Sequence, residues 1–269
     1  MDTFVKYFGK KPKLTNTILI EGLPGFGQVG RLVAEHLVKE FKGKKFAELY
    51  SPHFPPQVMI QNDGSIDMIT NNFFYIKKMG GKRDVILVIG EAQGATITGQ
   101  YEICEKILDV AAEYGVKDVI TIGGYATGRL LKEPKVFGAA NSPEYIKEFS
   151  KHGAIFKTKG NRGGIVGTSG LLVGLSKLRD MKSVCLMGET PGHPLLIDAK
   201  AAEKVLTIIG KWQKIKIEMG ALDKRAKELE KFRLNLEKMM QKMMKKEQGG
   251  EQPGEEGAED EEEDLKYIG

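Results

Sequence analysis

Three glycines near the start of the chain have the spacing of a phosphate-binding loop. Gly25, Gly27 and Gly30 form the pattern G-x-G-x-x-G, between the apolar run Thr17–Glu21 and a segment whose apolar residues recur at helical spacing. A strand, a glycine turn and a helix in this order let a phosphate approach the helix N-terminus, where free backbone N–H groups favour an anion. Glu48 follows at about the distance expected of the acid that binds the ribose. The same glycines are also needed where a helix simply packs close to a sheet, so both interpretations stay open.

Four further side chains could take part in chemistry. His53 and His193 lie in proline-bearing loops at strand ends, and Glu91 and Glu189 each follow a buried strand. Because α/β sites form at the carboxyl ends of parallel strands, the two glutamates could meet as a carboxylate pair. The alternative is that they cap helices and anchor loops. The motifs H-E-x-x-H and G-x-x-x-x-G-K-[ST] and a Cys/His cluster are all missing, so we expect no catalytic, cofactor-binding or metal-ligating residue.

The two cysteines and the charge distribution narrow the class of protein. Cys104 and Cys185 each lie in an apolar run, 81 positions apart, which favours two buried, reduced thiols in a cytoplasmic protein.

The charges are unevenly distributed along the chain. Residues 248–269 hold nine acids and one lysine, a net charge of −8. Since the whole chain carries +5, the remainder carries +13. The lysines of this basic part are dispersed and few aromatic residues accompany them, which disfavours a nucleic-acid-binding protein.

The apolar pattern predicts an α/β fold. Asp84–Gly90 and Asp118–Gly124 are continuous apolar runs typical of strands buried on both faces, and a helix with its stop at Gly115 lies between them. Gln61–Ser65 contains Asp-Gly and predicts a hairpin between two short strands. Further along, Ser183–Gly188 is predicted as another buried strand. The other predicted elements are strands at Thr17–Glu21 and Phe73–Lys77 and helices from Val29, over Gln100–Tyr114, from Pro143 to Lys151 and from Asp198 to Trp212.

The chain divides into three predicted parts. Residues 1–212 form the α/β core domain, residues 213–247 an amphipathic helical segment, and residues 248–269 a disordered acidic tail. In the second part, apolar residues from Leu222 to Met243 follow near-heptad spacing, so this helix packs either on its own domain or on copies of itself. The sequence contains neither a signal-peptide pattern nor an apolar run long enough to span a membrane, and we expect a cytoplasmic protein without a membrane partner.

Four stretches, taken in order, resemble the proteasome assembly chaperone 2 family, in particular its archaeal members. They are GLPGFGQVG at Gly22–Gly30, GEAQ at Gly90–Gln93, GGYATG at Gly123–Gly128 and MGETPG at Met187–Gly192. The resemblance extends from about Thr17 to Trp212. It implies a three-layer α/β/α sandwich related to nucleoside phosphorylases but without their catalytic residues. It also implies a homo-oligomer that binds the proteasome core particle, and a glycine loop that serves packing.

The last residues of the chain resemble the docking motif of proteasome activators, which is a hydrophobic residue, a tyrosine and any residue. In that motif the tyrosine and the terminal carboxylate enter pockets between subunits of the outer ring. Here the chain ends Leu265-Lys266-Tyr267-Ile268-Gly269, with the tyrosine third from the end instead of second. The resemblance implies that these five residues bind the proteasome, in a register that differs from the motif.

The sequence thus predicts a non-enzymatic proteasome assembly chaperone or activator, without a cofactor, that binds the core particle through its tail. The alternative is a nucleotide- or nucleoside-binding enzyme that uses the Gly25, Gly27 and Gly30 loop. These two hypotheses differ in what fills the space around the glycines.

Overall fold

The computed structural model describes residues 2–129, 131–156, 163–192, 197–220 and 222. Ten strands are present in this part of the chain: β1 (Phe4–Tyr7), β2 (Ile18–Glu21), β3 (Lys44–Tyr50), β4 (Val58–Ile60), β5 (Ile66–Met68), β6 (Asn71–Met79), β7 (Arg83–Gly90), β8 (Asp118–Ala126), β9 (Val136–Ala140) and β10 (Lys182–Thr190). The helices are α1 (Val29–Glu40), α2 (Ile97–Glu113), α3 (Pro143–Lys151), α4 (Thr168–Leu178) and α5 (Ala199–Gln213).

Eight of these strands form one mixed sheet in the order β1-β3-β6-β7-β2-β8-β10-β9. The central strands β7, β2, β8 and β10 are parallel, whereas β1, β3 and β6 on one side and β9 on the other pair antiparallel with their neighbours. Strands β4 and β5 form a separate two-stranded hairpin. The four parallel strands end at the same edge, which we call the carboxyl edge, and the opposite edge is called the amino edge.

Helices cover both faces of the sheet, as the predicted α/β class requires. Residues of α1, α3 and α5 pack on one face in a cluster that includes Leu37, Phe149 and Ile209. On the other face, α2 and α4 contribute Ile107 and Leu172 to a second cluster. The central strands are apolar on both sides because both faces are covered, and this is why they read as unbroken apolar runs in the sequence.

The chain continues to pack on the core beyond α5. Ile217 and Leu222 are buried in the cluster of α1 and α5, and a hydrogen bond of 2.9 Å joins His36 Nε2 to the carbonyl of Glu218. Residues 223–269 lie outside the described part of the chain. They include most of the predicted helical segment and the whole predicted tail. The three-part division of the chain stays a prediction.

Most predicted elements are confirmed, and the differences have physical reasons. Helix α2 begins at Ile97 instead of Gln100 because Thr96 caps it, accepting a 3.0 Å hydrogen bond from the Gly99 amide. The Asp-Gly hairpin forms as predicted, with Gly64 at φ 82° in its turn. The prediction missed strands β1 and β9, which lie at the two edges of the sheet and carry few of the buried residues that reveal a central strand.

Candidate functional site

The carboxyl edge of the sheet brings together the loops in which the sequence analysis placed its candidates. The glycine loop follows β2, the loop of Glu91 follows β7, and Glu189 lies at the end of β10. This is the edge at which open α/β sheets bind ligands. The question is therefore whether these groups are arranged to hold a ligand or to hold the loops.

The space next to the glycine loop is occupied by the protein's own sheet. A Cβ at Gly27, which has a φ of 63°, would lie 2.5 Å from Thr190 Oγ1. At Gly30, a Cβ would lie 2.5 Å from the carbonyl oxygen of Ile122 and 3.0 Å from that of Leu23. The glycine loop at Gly27 and helix α1 at Gly30 thus approach the sheet too closely for any side chain at these two positions. This contact supports the packing interpretation of the glycines.

Glu48 does not lie where a ribose-binding acid is needed, and that part of the fingerprint is wrong. Strand β3, which carries Glu48, is separated from β2 by β6 and β7, a distance of about 14 Å at the usual strand spacing. The Glu48 carboxylate instead pairs with Lys45 and accepts a 2.5 Å hydrogen bond from the Tyr50 hydroxyl. A dinucleotide fold needs the acid on the strand beside the glycine loop.

Glu91 and Glu189 do not form a carboxylate pair. Their strands, β7 and β10, are separated by β2 and β8, and each glutamate has its own partner. Glu91 binds Arg31 through two hydrogen bonds of 2.7 and 3.1 Å, whereas Glu189 accepts a 2.7 Å hydrogen bond from the Lys135 amide. The alternative interpretation, loop anchoring, therefore describes both residues.

His53 also holds a loop. Its Nδ1 lies 2.9 Å from Thr96 Oγ1, and its Nε2 lies 3.3 Å from a carboxylate oxygen of Glu102. The other predicted candidate, His193, falls outside the described residues. Among the residues that are described, no three of His, Cys, Asp and Glu are grouped to hold a metal ion. Both cysteines are buried, and burial raises the pKa of each thiol, that of Cys185 to about 12.

Gln93, in the GEAQ stretch, joins three loops. Its Nε2 donates a 2.7 Å hydrogen bond to the carbonyl of Pro24 in the glycine loop, and its Oε1 accepts one of 2.9 Å from the amide of Thr168 at the start of α4. Gln100 adds to this network, accepting a 3.0 Å hydrogen bond from Thr168 Oγ1. The polar residues of this stretch thus fix the loops to one another.

The sequence analysis missed Glu21, a fully buried carboxyl at the end of β2. Leu23 N donates to it at 2.9 Å and Ser169 Oγ at 3.0 Å. Burial raises the pKa of Glu21 to about 7, against the opposing effect of these hydrogen bonds. The available signal was an acid directly after three β-branched or apolar strand residues and before the glycine loop.

The residues predicted to bind the proteasome, Leu265–Gly269, lie outside the described part of the chain. Within that part, the helices are all too short or too polar to cross a membrane. The described part of the chain is therefore an α/β domain with a mixed eight-stranded sheet. Polar side chains fix the loops at its carboxyl edge to each other.

This fold and the ordered stretches on its loops define one family. The family model described as PAC2 family matches residues 19–236, and the chain belongs to that family. An uncharacterized protein of Methanocaldococcus jannaschii, MJ1210, is 43% identical to it over 98% of both chains. The family is thus shown both by the match to the family model and by a relative that is similar over nearly its whole length.

Two solved structures of Pyrococcus furiosus proteins are similar to this one. The first is PbaB, described as an archaeal proteasome activator, with a TM-score of 0.82 and 39% identity over 88% of this chain and 99% of the other. The second is PbaA, described as an archaeal homolog of proteasome-assembly chaperone, with a TM-score of 0.73 and 26% identity over 92% of this chain and 97% of the other.

We expect NAD, ATP and nucleosides to leave the melting temperature unchanged, because the glycine loop is packed against the sheet. A ligand present at 100 times its Kd would add about 2.7 kcal/mol to the free energy of unfolding, equivalent to roughly 5–10 °C for a chain of this size. Thermal unfolding with each compound tests this. A saturable rise that Gly25→Ala removes would contradict it, since a Cβ at Gly25 would meet only Gln93 Nε2, at an ordinary contact distance of 4.0 Å, and leaves the packing intact.

Proposed function

We propose that this protein is a non-enzymatic partner of the proteasome core particle and acts as an assembly chaperone or activator. The observation that carries the proposal is its likeness to PbaB, described as an archaeal proteasome activator, at 39% identity over 88% of the chain. The likeness to PbaA, described as a homolog of proteasome-assembly chaperone, supports the same role. The protein is proposed to act in the cytoplasm as a homo-oligomer.

The geometry of the carboxyl edge supports a binding protein over an enzyme. Its acids and amides are engaged with neighbouring loops, as Glu91 is with Arg31 and Gln93 with Pro24 and Thr168. The alternative, a nucleotide- or nucleoside-binding enzyme, requires a ligand to approach the second glycine of the loop, Gly27, beside which Thr190 now lies. We also propose that the three-layer α/β/α fold of this protein is related to that of nucleoside phosphorylases. This relationship gives no residue of the chain a catalytic role.

The proposed docking element is the segment Leu265–Gly269, which binds the outer ring of the core particle. Its sequence supports this. Two apolar side chains and a tyrosine follow a run of acidic residues that itself contains no apolar side chain. Residues 248–269 could span about 70 Å when extended, and repulsion among nine acids favours extension. Several such segments in one oligomer raise the overall affinity through effective concentration, even if each binds weakly.

Deletion of Leu265–Gly269 should abolish binding to the core particle, and Tyr267→Ala should weaken it severely. Co-purification of each variant with purified core particles measures the effect. A chain with the same five residues in scrambled order is the matched control for length and charge, and it should bind as poorly as the deletion.

Two outcomes contradict different parts of the proposal. If the full chain does not co-purify with the core particle, the proposed function is wrong. If the deletion variant binds as well as the full chain, the function stands and the docking element lies elsewhere. Thermal unfolding and mass in solution should be the same for all variants, since the altered residues come after residue 236, where the match to the family model ends.

A further inference from the structure

Six lysines at the amino edge form a basic surface, which we call the lysine surface. They lie where α1 ends, β3 begins, β6 turns into β7 and α5 ends. All six are exposed, and none forms an ion pair with another described residue. They are Lys42, Lys44, Lys77, Lys78, Lys82 and Lys214. Grouped charges of one sign repel each other, so this arrangement does not stabilise the free protein.

The segments that carry these lysines pack against one another. At Gly43, between α1 and β3, a Cβ would lie 3.3 Å from Ile76 Cγ1 in β6. At Gly80, in the turn from β6 to β7, a Cβ would collide with Ile215, which directly follows Lys214. The six lysines therefore share one surface, although they come from four separate segments of the chain.

The acids of this region do not neutralise the lysine surface. Asp84 is buried and accepts hydrogen bonds from two backbone amides, one of them that of Lys78, at 2.8 Å. Glu218 pairs with a seventh lysine, Lys216. Glu40 is half buried at the end of α1 and accepts a 3.4 Å hydrogen bond from the Glu218 amide. Seven lysines against three acids leave an excess of positive charge.

Three of the lysines occupy backbone positions that favour other residues. Lys42, Lys78 and Lys214 have φ values of 53°, 46° and 54°, and they are half of the six non-glycine residues with positive φ in the described part of the chain. Glycine or asparagine adopts this conformation at lower cost. A positive charge is favourable after a helix, as at Lys42 and Lys214, but Lys78 lies in β6. The fold alone does not explain the charge at Lys78.

The cations of this surface suit carboxylates better than phosphates. Lysine presents a point charge, whereas arginine presents the planar fork that binds a phosphate through two hydrogen bonds. Arg83, at the same edge, already pairs with Asp118 and donates to the carbonyl of Asn16. Arg179 pairs with two acids of α2. The arginines described at this edge are therefore engaged, and the lysine surface presents ammonium groups alone.

The lysine surface also lacks the groups that hold nucleic-acid bases or lipid. In α1, β3, β6, β7 and the described residues after α5, no large apolar or aromatic side chain is exposed. Phe8, exposed at the same edge, lies under the ammonium groups of Lys6 and Lys45, which are 5.8 and 5.7 Å from its ring centre. Base stacking needs an open aromatic face, and a lipid surface needs apolar side chains that insert.

We infer that the lysine surface binds an acidic segment of a partner protein. Carboxylates pair with ammonium groups without needing either the arginine fork or an aromatic platform. Each exposed ion pair contributes little, so such binding uses several lysines at once and weakens as salt rises. The inference goes beyond the proposed function, because it concerns another part of the molecule and is tested without the proteasome.

Lys77→Glu/Lys82→Glu should weaken the binding of a short fluorescent poly-L-glutamate to the full chain by roughly 10-fold or more, because each substitution replaces an attraction by a repulsion. Fluorescence anisotropy at low salt measures the Kd. The matched control is Lys132→Glu/Lys135→Glu, which changes the net charge equally at the carboxyl edge. That edge lies one strand length away, about 30 Å, so the control should change the Kd by less than about 2-fold.

Three outcomes would overturn the inference. The first is a wild-type chain that does not bind the polyglutamate, and the second is an equal loss of affinity in both double variants. The third is a single-stranded DNA of the same charge that binds more tightly than the polyglutamate and loses its affinity in Lys77→Glu/Lys82→Glu. That result would assign the lysine surface to nucleic acid.

Lys78→Gly separates binding from folding. Glycine adopts the φ of 46° without strain, so the melting temperature should stay level or rise, whereas the Kd for polyglutamate should rise by about 2–3-fold. Asp180→Gly is the matched control, because Asp180 also has a positive φ, of 53°, at the amino edge but carries the opposite charge. It should not weaken binding. An unchanged Kd for Lys78→Gly would mean that the lysine does not serve a partner, against the inference.

Discussion

Gly30→Ala should lower the free energy of unfolding by about 2–3 kcal/mol, the usual size of an overpacking defect in a closely packed core. The new methyl group would lie 2.5 Å from the carbonyl oxygen of Ile122 and 3.0 Å from that of Leu23. Both atoms belong to the backbone, so neither can move aside as the end of a flexible side chain could. Helix α1 would have to separate from the sheet.

The matched control for this substitution is Gly174→Ala. Gly174 also lies in a helix, α4, but a Cβ there would meet nothing within 4 Å. Because alanine has the higher helix propensity, this change should raise the free energy of unfolding by up to about 1 kcal/mol. Urea unfolding measures both variants. If they change stability equally, the glycine at position 30 is not required by packing.

Glu21→Gln should stabilise the protein at pH 8 by about 3 kcal/mol and have almost no effect near pH 4.5. Burial raises the pKa of this carboxyl from its ordinary value of 4.5 to about 7 in the folded protein. The folded state therefore retains a proton that the unfolded state has lost, and stability falls as the pH rises from about 4.5 to about 7. Glutamine is neutral at every pH, so the variant lacks this loss.

The hydrogen bonds of Glu21 make glutamine a suitable replacement. Its carbonyl oxygen can accept from Leu23 N, and its amide can donate to Ser169 Oγ, whose own hydrogen can bind the Ile122 carbonyl 3.2 Å away. Ser169→Ala, in contrast, removes a donor to the charged carboxylate, which raises the pKa of Glu21 further, and stability should continue to fall to a higher pH than in the wild type. Urea unfolding between pH 4.5 and pH 8 tests both variants, and the same pH dependence in wild type and Glu21→Gln would show that Glu21 is not the titrating group.

The central part of the fold could be predicted because burial on both faces leaves a direct trace in the sequence. Strands β7, β8 and β10 appear as unbroken apolar runs. The start of α3 is indicated by Ser142, which caps the helix, and by Pro143 at its first position. Strands at the sheet edges leave no such trace. In β1, Val5 and Tyr7 alternate with Phe4 and Lys6, and the whole strand is only half buried or exposed.

The candidate site was harder to predict, because its chemistry depends on strand order. The spacing of Glu48 from the glycine loop fits a dinucleotide fold, but the chain enters an antiparallel section after α1 and places β3 three positions from β2. Spacing along the chain does not reveal this order of the strands in the sheet. Glu21 was missed for a different reason, since a single acid at the end of an apolar strand is usually taken as the strand's exposed terminus.

Gln93 gives the carboxyl edge a shared response to local opening. Its side chain holds Pro24 in the glycine loop and Thr168 at the start of α4, which are far apart in the sequence, while its own backbone belongs to a third segment, the loop after β7. If the loop that carries Gln93 detaches, the hydrogen bonds to Pro24 and to Thr168 are lost at the same time. Amide hydrogens in these loops are therefore expected to exchange with solvent through common opening events, so that the edge behaves as one cooperative unit. A contact that fixes the Gln93 loop should therefore also restrain the other two.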